Sequence, residues 1–207
     1  MKYFKNLTSA AALLALGACS SATTTAPVSV ASVGSAAKNT ATGTYSVTVN
    51  GTTTDLGIRT APITGGQIWV KPALVAYAFE DPSVLAVGGF IRSSNTPFAG
   101  VTGTVAGTPA TATYTGRIGL VGVNPATGAL VDQNSILDLS VDTTANTVTQ
   151  NSGGVTIDGT IVGSAFTGTV GWGGLTAPMA GGFYGTNTAA GAFSSAELAG
   201  AFLGTKP

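Results

Sequence analysis

Between Leu137 and Asp142 apolar and polar residues change places at every step. Leu137, Leu139 and Val141 fall on one side of an extended chain, and Asp138, Ser140 and Asp142 fall on the other. The same pattern returns downstream at spacings of about 8–15 residues, the rhythm of short strands joined by turns. Val155, Ile157 and Ile161 share a face, as do Phe166, Gly168, Val170 and Trp172. Asn124-Pro-Ala-Thr-Gly128, Thr143-Thr-Ala-Asn146 and Ser152-Gly-Gly154 supply the intervening turns. With a long strand over Ala110 to Val123, Leu175 to Met179 and a terminal pair, this region holds seven or eight strands. That number suits a closed antiparallel barrel or a sandwich. Closure removes edges that a chain with only 8% charged residues has few means to guard.

Upstream, Tyr45, Val47 and Val49 alternate with Ser46, Thr48 and Asn50, and Asn50-Gly51 reads as a hairpin turn leading to a return strand at Leu56 to Arg59. Ile68-Trp-Val70, Leu74 to Phe79 and Val84 to Ile91 are further apolar runs, so residues 43–98 hold about four strands. They form either a separate small β-rich unit or part of one larger sheet. Gly100 to Pro109 marks the expected boundary, which places the second domain at residues 99–207.

The first residues carry different information. Met1-Lys-Tyr-Phe-Lys5 is a short basic start, and Ala10 to Leu16 is an apolar core too short to span a membrane as a helix. Residues 1–18 therefore read as a signal peptide. Leu16-Gly-Ala-Cys19 resembles a bacterial lipobox, with cleavage between Ala18 and Cys19 and acyl chains such as palmitate on the Cys19 thiol. Each buried methylene contributes about 0.8 kcal/mol, so several chains hold a protein firmly to a membrane. Ser20 after the cysteine favours the outer membrane. Residues 19–42 lack periodicity and read as a flexible tether whose typical reach is on the order of 25 Å.

Composition removes several functions. Histidine is absent, and with it the commonest general base and metal ligand. Cys19 is the one cysteine, so no disulfide forms within the chain. Without Lys2 and Lys5 the chain keeps six basic and eight acidic residues, which gives no electrostatic reason to bind nucleic acid. The strands are short for a membrane barrel, and the aromatics form no paired girdles.

Near the carboxyl end, Gly181-Gly-Phe-Tyr-Gly185 is followed by Ala196-Glu-Leu-Ala-Gly-Ala-Phe202. This order resembles the terminal motif of the transferrin-binding-protein-B-like family of bacterial surface lipoproteins. Ala112-Thr-Tyr-Thr-Gly-Arg117 and Ile161-Val-Gly-Ser-Ala-Phe-Thr-Gly168 are similar to other strands of that family, and the resemblance covers residues 110–204. It departs at Thr186 to Ser194, read here as an extra loop. The resemblance implies an all-β chain, with a C-terminal antiparallel eight-stranded soluble β-barrel preceded by a small β-rich, handle-like segment over residues 43–98. It also implies a lipid-anchored, non-enzymatic binding protein at the outer membrane or cell surface. Such a protein captures a host iron protein, haem or another solute, sometimes beside an outer-membrane transporter. The alternative is a structural periplasmic lipoprotein with no dedicated ligand.

No catalytic or metal-binding residue is assigned, and no cofactor is expected. Asp138 with Asp158 is the one carboxylate pair weighed for glycoside hydrolysis, and Asp138 falls on a solvent face. Haem ligation would fall to tyrosine or Met179. Arg117 is expected to pair with a carboxylate across its sheet. For ligand contact the aromatic candidates are Phe193, Tyr184 and Trp172. Phe193 stands out as a ring in the extra loop, because binding residues collect on loops held by a rigid scaffold. Trp172 and Tyr184 suit core filling as well as contact.

Overall fold

A computed structural model describes residues 32–207. Every regular element in it is a strand. Sixteen follow in chain order: β1 Ser35–Asn39, β2 Thr44–Val49, β3 Thr52–Gly57, β4 Ala61–Ile63, β5 Gly66–Val70, β6 Leu74–Asp81, β7 Val84–Ile91 and β8 Thr96–Gly103. Then come β9 Ala112–Val123, β10 Leu130–Asp142, β11 Thr147–Ser152, β12 Val155–Val162, β13 Ala165–Trp172, β14 Leu175–Tyr184, β15 Thr188–Ser194 and β16 Leu198–Thr205. Strands β9 to β16 form a closed antiparallel barrel. The closing pair is β16 with β9, in a register that sets Gly200 opposite Leu120 and Thr205 opposite Thr115.

The remaining strands make two separate sheets, β1-β2-β3 and β4-β5-β6-β7-β8. The handle-like segment is therefore not part of the barrel sheet. The molecule has three layers, with the five-stranded sheet in the middle. Strand β6 shows why. Val75, Tyr77 and Phe79 pack toward the barrel, beside Ala190, Ala192, Ala199 and Ala201 of β15 and β16. Ala76 and Ala78 pack the other way, with Trp69, against Tyr45, Val47 and Leu56 of the three-stranded sheet. A strand covered on both faces has no polar alternation, so Leu74 to Phe79 reads as one continuous apolar run.

The barrel is filled. Tyr114, Ile118, Leu120, Leu137, Leu139, Phe166, Phe183, Phe193 and Phe202 meet inside it, and full burial of each such side chain contributes about 1.5–3 kcal/mol. On the outer wall of β12 Thr156, Asp158 and Thr160 are exposed. Apolar inside and polar outside is the reverse of a membrane-spanning barrel.

The strand reading holds for most of the barrel, and four details change. Residues Thr186 to Ser194 are not a loop, because β15 occupies Thr188–Ser194. It is buried on both faces, with Ala189 and Phe193 in the barrel core and Ala190 and Ala192 under the five-stranded sheet. Its small residues, which suggest a loop, allow the two layers to approach. Leu175 to Met179 and the Phe183-Tyr184 segment are one strand, β14. Strand β8 runs through the expected boundary at 98/99, since Phe98 packs on one side of its sheet and Ala99 on the other. Strand β1 begins at Ser35, inside the stretch expected to be tether, because its backbone pairs with β2 and Ala36 is buried. The leader, the Ala18–Cys19 junction and residues 20–31 lie outside the described residues.

The Asn50-Gly51 turn forms as its sequence implies. Both residues have positive φ, 49° and 79°, the geometry that a two-residue hairpin of this hand requires.

Candidate functional site

One mouth of the barrel is ringed by the turns β9–β10, β11–β12 and β13–β14. Trp172, the last residue of β13, continues the inward row of Phe166 and Val170 and is partly buried over the top of the core. It reaches across the barrel. A β-carbon on Gly122 of β9 would lie 3.0 Å from Trp172 Cζ3 and 2.9 Å from Leu175 Cδ1. Glycine at 122 leaves room for the indole to cap the core. The ring is fixed at its edge, where Nε1 donates to Gln133 Oε1 at 3.0 Å. Gln133 Nε2 in turn donates to Gly153 O at 3.3 Å, tying β10 to the β11–β12 turn.

Beside the indole is a cleft of about 150 Å³ lined by Val123, Asn124, Pro125, Val131, Trp172 and Leu175 together with Gly173. No charged side chain lines it. Val131 is 39% exposed there. Neither Gln133 nor Val131 is among the residues expected to matter. The signal is nevertheless present: positions 133 and 135 have the parity of Leu137, Leu139 and Val141, so a polar residue there marks the point where the inward face leaves the core.

The other two aromatic candidates are elsewhere. Phe193 is 0% exposed within the barrel, its ring over Gly200. Tyr184 is 1% exposed, packed outside the barrel wall beside Gly103 of β8, and burial pushes its hydroxyl up to about 12. Neither ring lies on a surface, and the structure does not bring the three together. Phe193 fills the barrel interior, and Tyr184 lies where the barrel wall meets the five-stranded sheet. Met179 is also buried in the barrel core, so its sulfur faces side chains and not solvent.

The acidic side chains that pack between layers have structural partners. Asp81 closes the β6–β7 turn by accepting from Ser83 N and Oγ, both at 2.7 Å, and from Val84 N at 3.0 Å. It also accepts from Thr188 Oγ1 of the barrel. Burial works to raise its pKa, but the hydrogen bonds from Thr188, Ser83 and Val84 outweigh it and hold the carboxyl below its usual range. Asp132 Oδ2 on β10 accepts from Tyr77 OH at 2.7 Å, a second link between sheet and barrel. Burial, with the Asp132 carboxylate beside it, pushes the Tyr77 hydroxyl well above the phenol range.

Glu80 takes Lys38 Nζ at 2.6 Å and Tyr45 OH at 3.1 Å. It is the one salt bridge among the described residues. Arg117 has no carboxylate partner there; its stem lies beside Gly65, where a β-carbon would be 3.2 Å from Cγ. Asp138 and Asp158 are both exposed on the outer wall, outside any enclosed cleft. Among the described residues no group of three or more Cys, Asp or Glu side chains is gathered for a metal ion.

No protein-family model matches the chain, and no curated protein matches it. Solved structures similar to it include a transferrin-binding protein B from Neisseria meningitidis, at 17% identity over 78% of this chain and 39% of that one, with a TM-score of 0.48. HpuA from Kingella denitrificans, solved in complex with human haemoglobin, is 14% identical over 85% of both chains, with a TM-score of 0.45. A double mutant of transferrin-binding protein B from Haemophilus parasuis is 14% identical over 77% of this chain and 40% of that one, with a TM-score of 0.42. The chain spans about two fifths of the length of the transferrin-binding proteins.

Proposed function

We propose that this chain is a non-enzymatic binding protein, held at the outer membrane by a lipid on Cys19 and carrying its partner on the barrel mouth around Trp172. The observation that carries this reading is the filled, capped barrel. Its interior holds side chains, so a ligand is taken at the surface, on turns fixed by a rigid scaffold. The mouth offers one partly buried indole in an uncharged cleft among small polar turns, the composition of an anchor site for another molecule. Proteins of similar outline include one solved with haemoglobin and others named for transferrin. A host iron protein is accordingly the first partner to test, with haem or another solute next and an outer-membrane transporter as the neighbouring component.

Two measurements test the reading. The Cys19→Ser chain is expected to leave the membrane fraction and to take up no labelled fatty acid; retention on membranes with no label would remove the anchor. Residues 32–207, which keep β1, are expected to capture a defined component from serum, with haemoglobin and transferrin assayed singly. Capture of nothing from serum or culture medium would overturn the binding role.

A further inference from the structure

Strand β10 is paired unevenly. Against β9 its ladder runs from Leu130 to Val141. Against β11 only Ser140, Val141 and Asp142 have partners. Among the described residues no strand pairs with Leu130 to Leu139 on that second side. Part of the lane is filled by side chains and a turn. Gln150 Oε1 accepts from Asp138 N at 2.9 Å, and Gly153 sits against Ser135, where a β-carbon would lie 2.6 Å from Oγ. Beyond that turn, no strand among the described residues runs alongside Leu130 to Asn134 on this side.

The direction of the open backbone groups follows from the ladder. Asp138 N–H points away from β9, so the alternation of antiparallel bonding turns the amides and carbonyls of Asp132 and Asn134 the same way. One polar atom is also left over along this seam. Gln150 is 5% exposed and its Nε2 has no partner among the described residues.

The uncharged cleft adjoins the same segment through Val131. At about 150 Å³ it is well below the roughly 300–1,000 Å³ of small-molecule sites and suits a single aliphatic side chain. An open edge calls for an extended backbone, and a neutral apolar notch beside it calls for one apolar side chain. One kind of ligand supplies both, because strand addition takes its affinity from main-chain bonds and its specificity from pockets for alternate side chains.

We propose that Leu130–Asn134 is a strand-pairing edge that takes an extended, uncharged segment of a partner protein, with one aliphatic side chain seated beside Trp172. The assignment rests on the binding reading above for its use in the cell, but the edge is tested with purified protein alone.

The probe is a capped synthetic peptide, Ser-Thr-Val-Thr-Leu-Thr-Val-Thr-Ser, titrated into residues 32–207. Binding is expected to saturate and to slow hydrogen exchange at the Asp132 and Asn134 amides. Peptides N-methylated at alternate backbone nitrogens, in either frame, separate pairing from mere stickiness: one frame is expected to weaken binding at least about tenfold, the other far less. Asn134→Pro and Val131→Lys are expected to weaken it similarly. The methylated peptides use the unaltered protein, so the test stands even if a variant fails to fold. No saturation up to about 1 mM, the weak end of the affinity scale, would overturn the proposal. Equal binding of both methylated peptides would also overturn it, as would protection of the same amides by concentration-dependent dimerisation, which would assign the edge to a second copy. If serum capture succeeds while the peptide fails, the edge is lost and the binding reading stands.

Discussion

Gly88 of the five-stranded sheet and Gly200 of the barrel meet backbone to backbone. A β-carbon on Gly88 would lie 2.3 Å from the carbonyl carbon of Gly200. On its other side Gly200 faces the ring of Phe193, where a β-carbon would be 2.5 Å from Cζ. The closing strand is therefore pressed from outside by a sheet and from inside by an aromatic ring, and it carries glycine at the point of contact.

Gly200→Ala is expected to destabilise the chain by about 1–3 kcal/mol through overpacking, measured by chemical denaturation. Combined with Phe193→Ala the double variant should cost somewhat less than the sum of the two, because the alanine at 193 clears the ring contact. The Gly119 carbonyl oxygen, 2.1 Å from the same β-carbon, stays in place. Simple additivity would show that the ring does not press on Gly200.

Phe193 and Trp172 separate core from surface. Phe193→Ala is expected to cost about 3–5 kcal/mol with no specific effect on partner capture. Trp172→Ala removes a partly buried cap and should cost less stability while abolishing capture. Equal stability losses, with capture unchanged in both, would move the binding site away from the mouth.

Tyr77→Phe removes the hydroxyl that joins the sheet to Asp132 and should cost about 1.5–3 kcal/mol at neutral pH, the range for a bond to a charged acceptor. The native phenol is raised above its ordinary 10.0. Its contribution is thus complete below pH 10 and declines as the pH rises through and above that value, toward the folded pKa. Denaturation midpoints of parent and variant are expected to converge in strong alkali and to stay parallel from pH 6 to 9.

Asp81 gives the opposite sign. Its carboxyl is held below the ordinary 3.8 by the hydrogen bonds from Thr188, Ser83 and Val84 acting against burial. The stability it contributes is present above pH 3.8 and is lost as the pH falls through the lower folded value. Asp81→Asn should be less stable than the parent near neutrality, and the gap should close below about pH 4. A gap independent of pH would mean that the charge of Asp81 plays no part.

Much of this molecule was legible because strand periodicity is a local property. Alternation at Leu137 to Asp142 marks one buried and one wetted face, and Asn50-Gly51 specifies a turn by backbone sterics alone. Those signals, together with the family-like order of the terminal motif, were enough for an all-β chain with a closed eight-stranded barrel. What lay beyond the sequence was every place where a strand is covered twice. The residues of β15, Thr-Ala-Ala-Gly-Ala-Phe-Ser, resemble a loop because both their faces are dry and one of them must be small. Nothing within nine residues says that a second sheet will lie against that wall; the contact between Gly88 and Gly200 says it, across more than a hundred positions of chain. The mouth is decided in the same way. Trp172 becomes a cap, and not one more core residue, because β13 ends there, Gly122 leaves space across the barrel, and Gln133 holds the indole from a third strand. Period and turn chemistry set the strands, whereas the stacking of three layers determined which side chains remained at a surface.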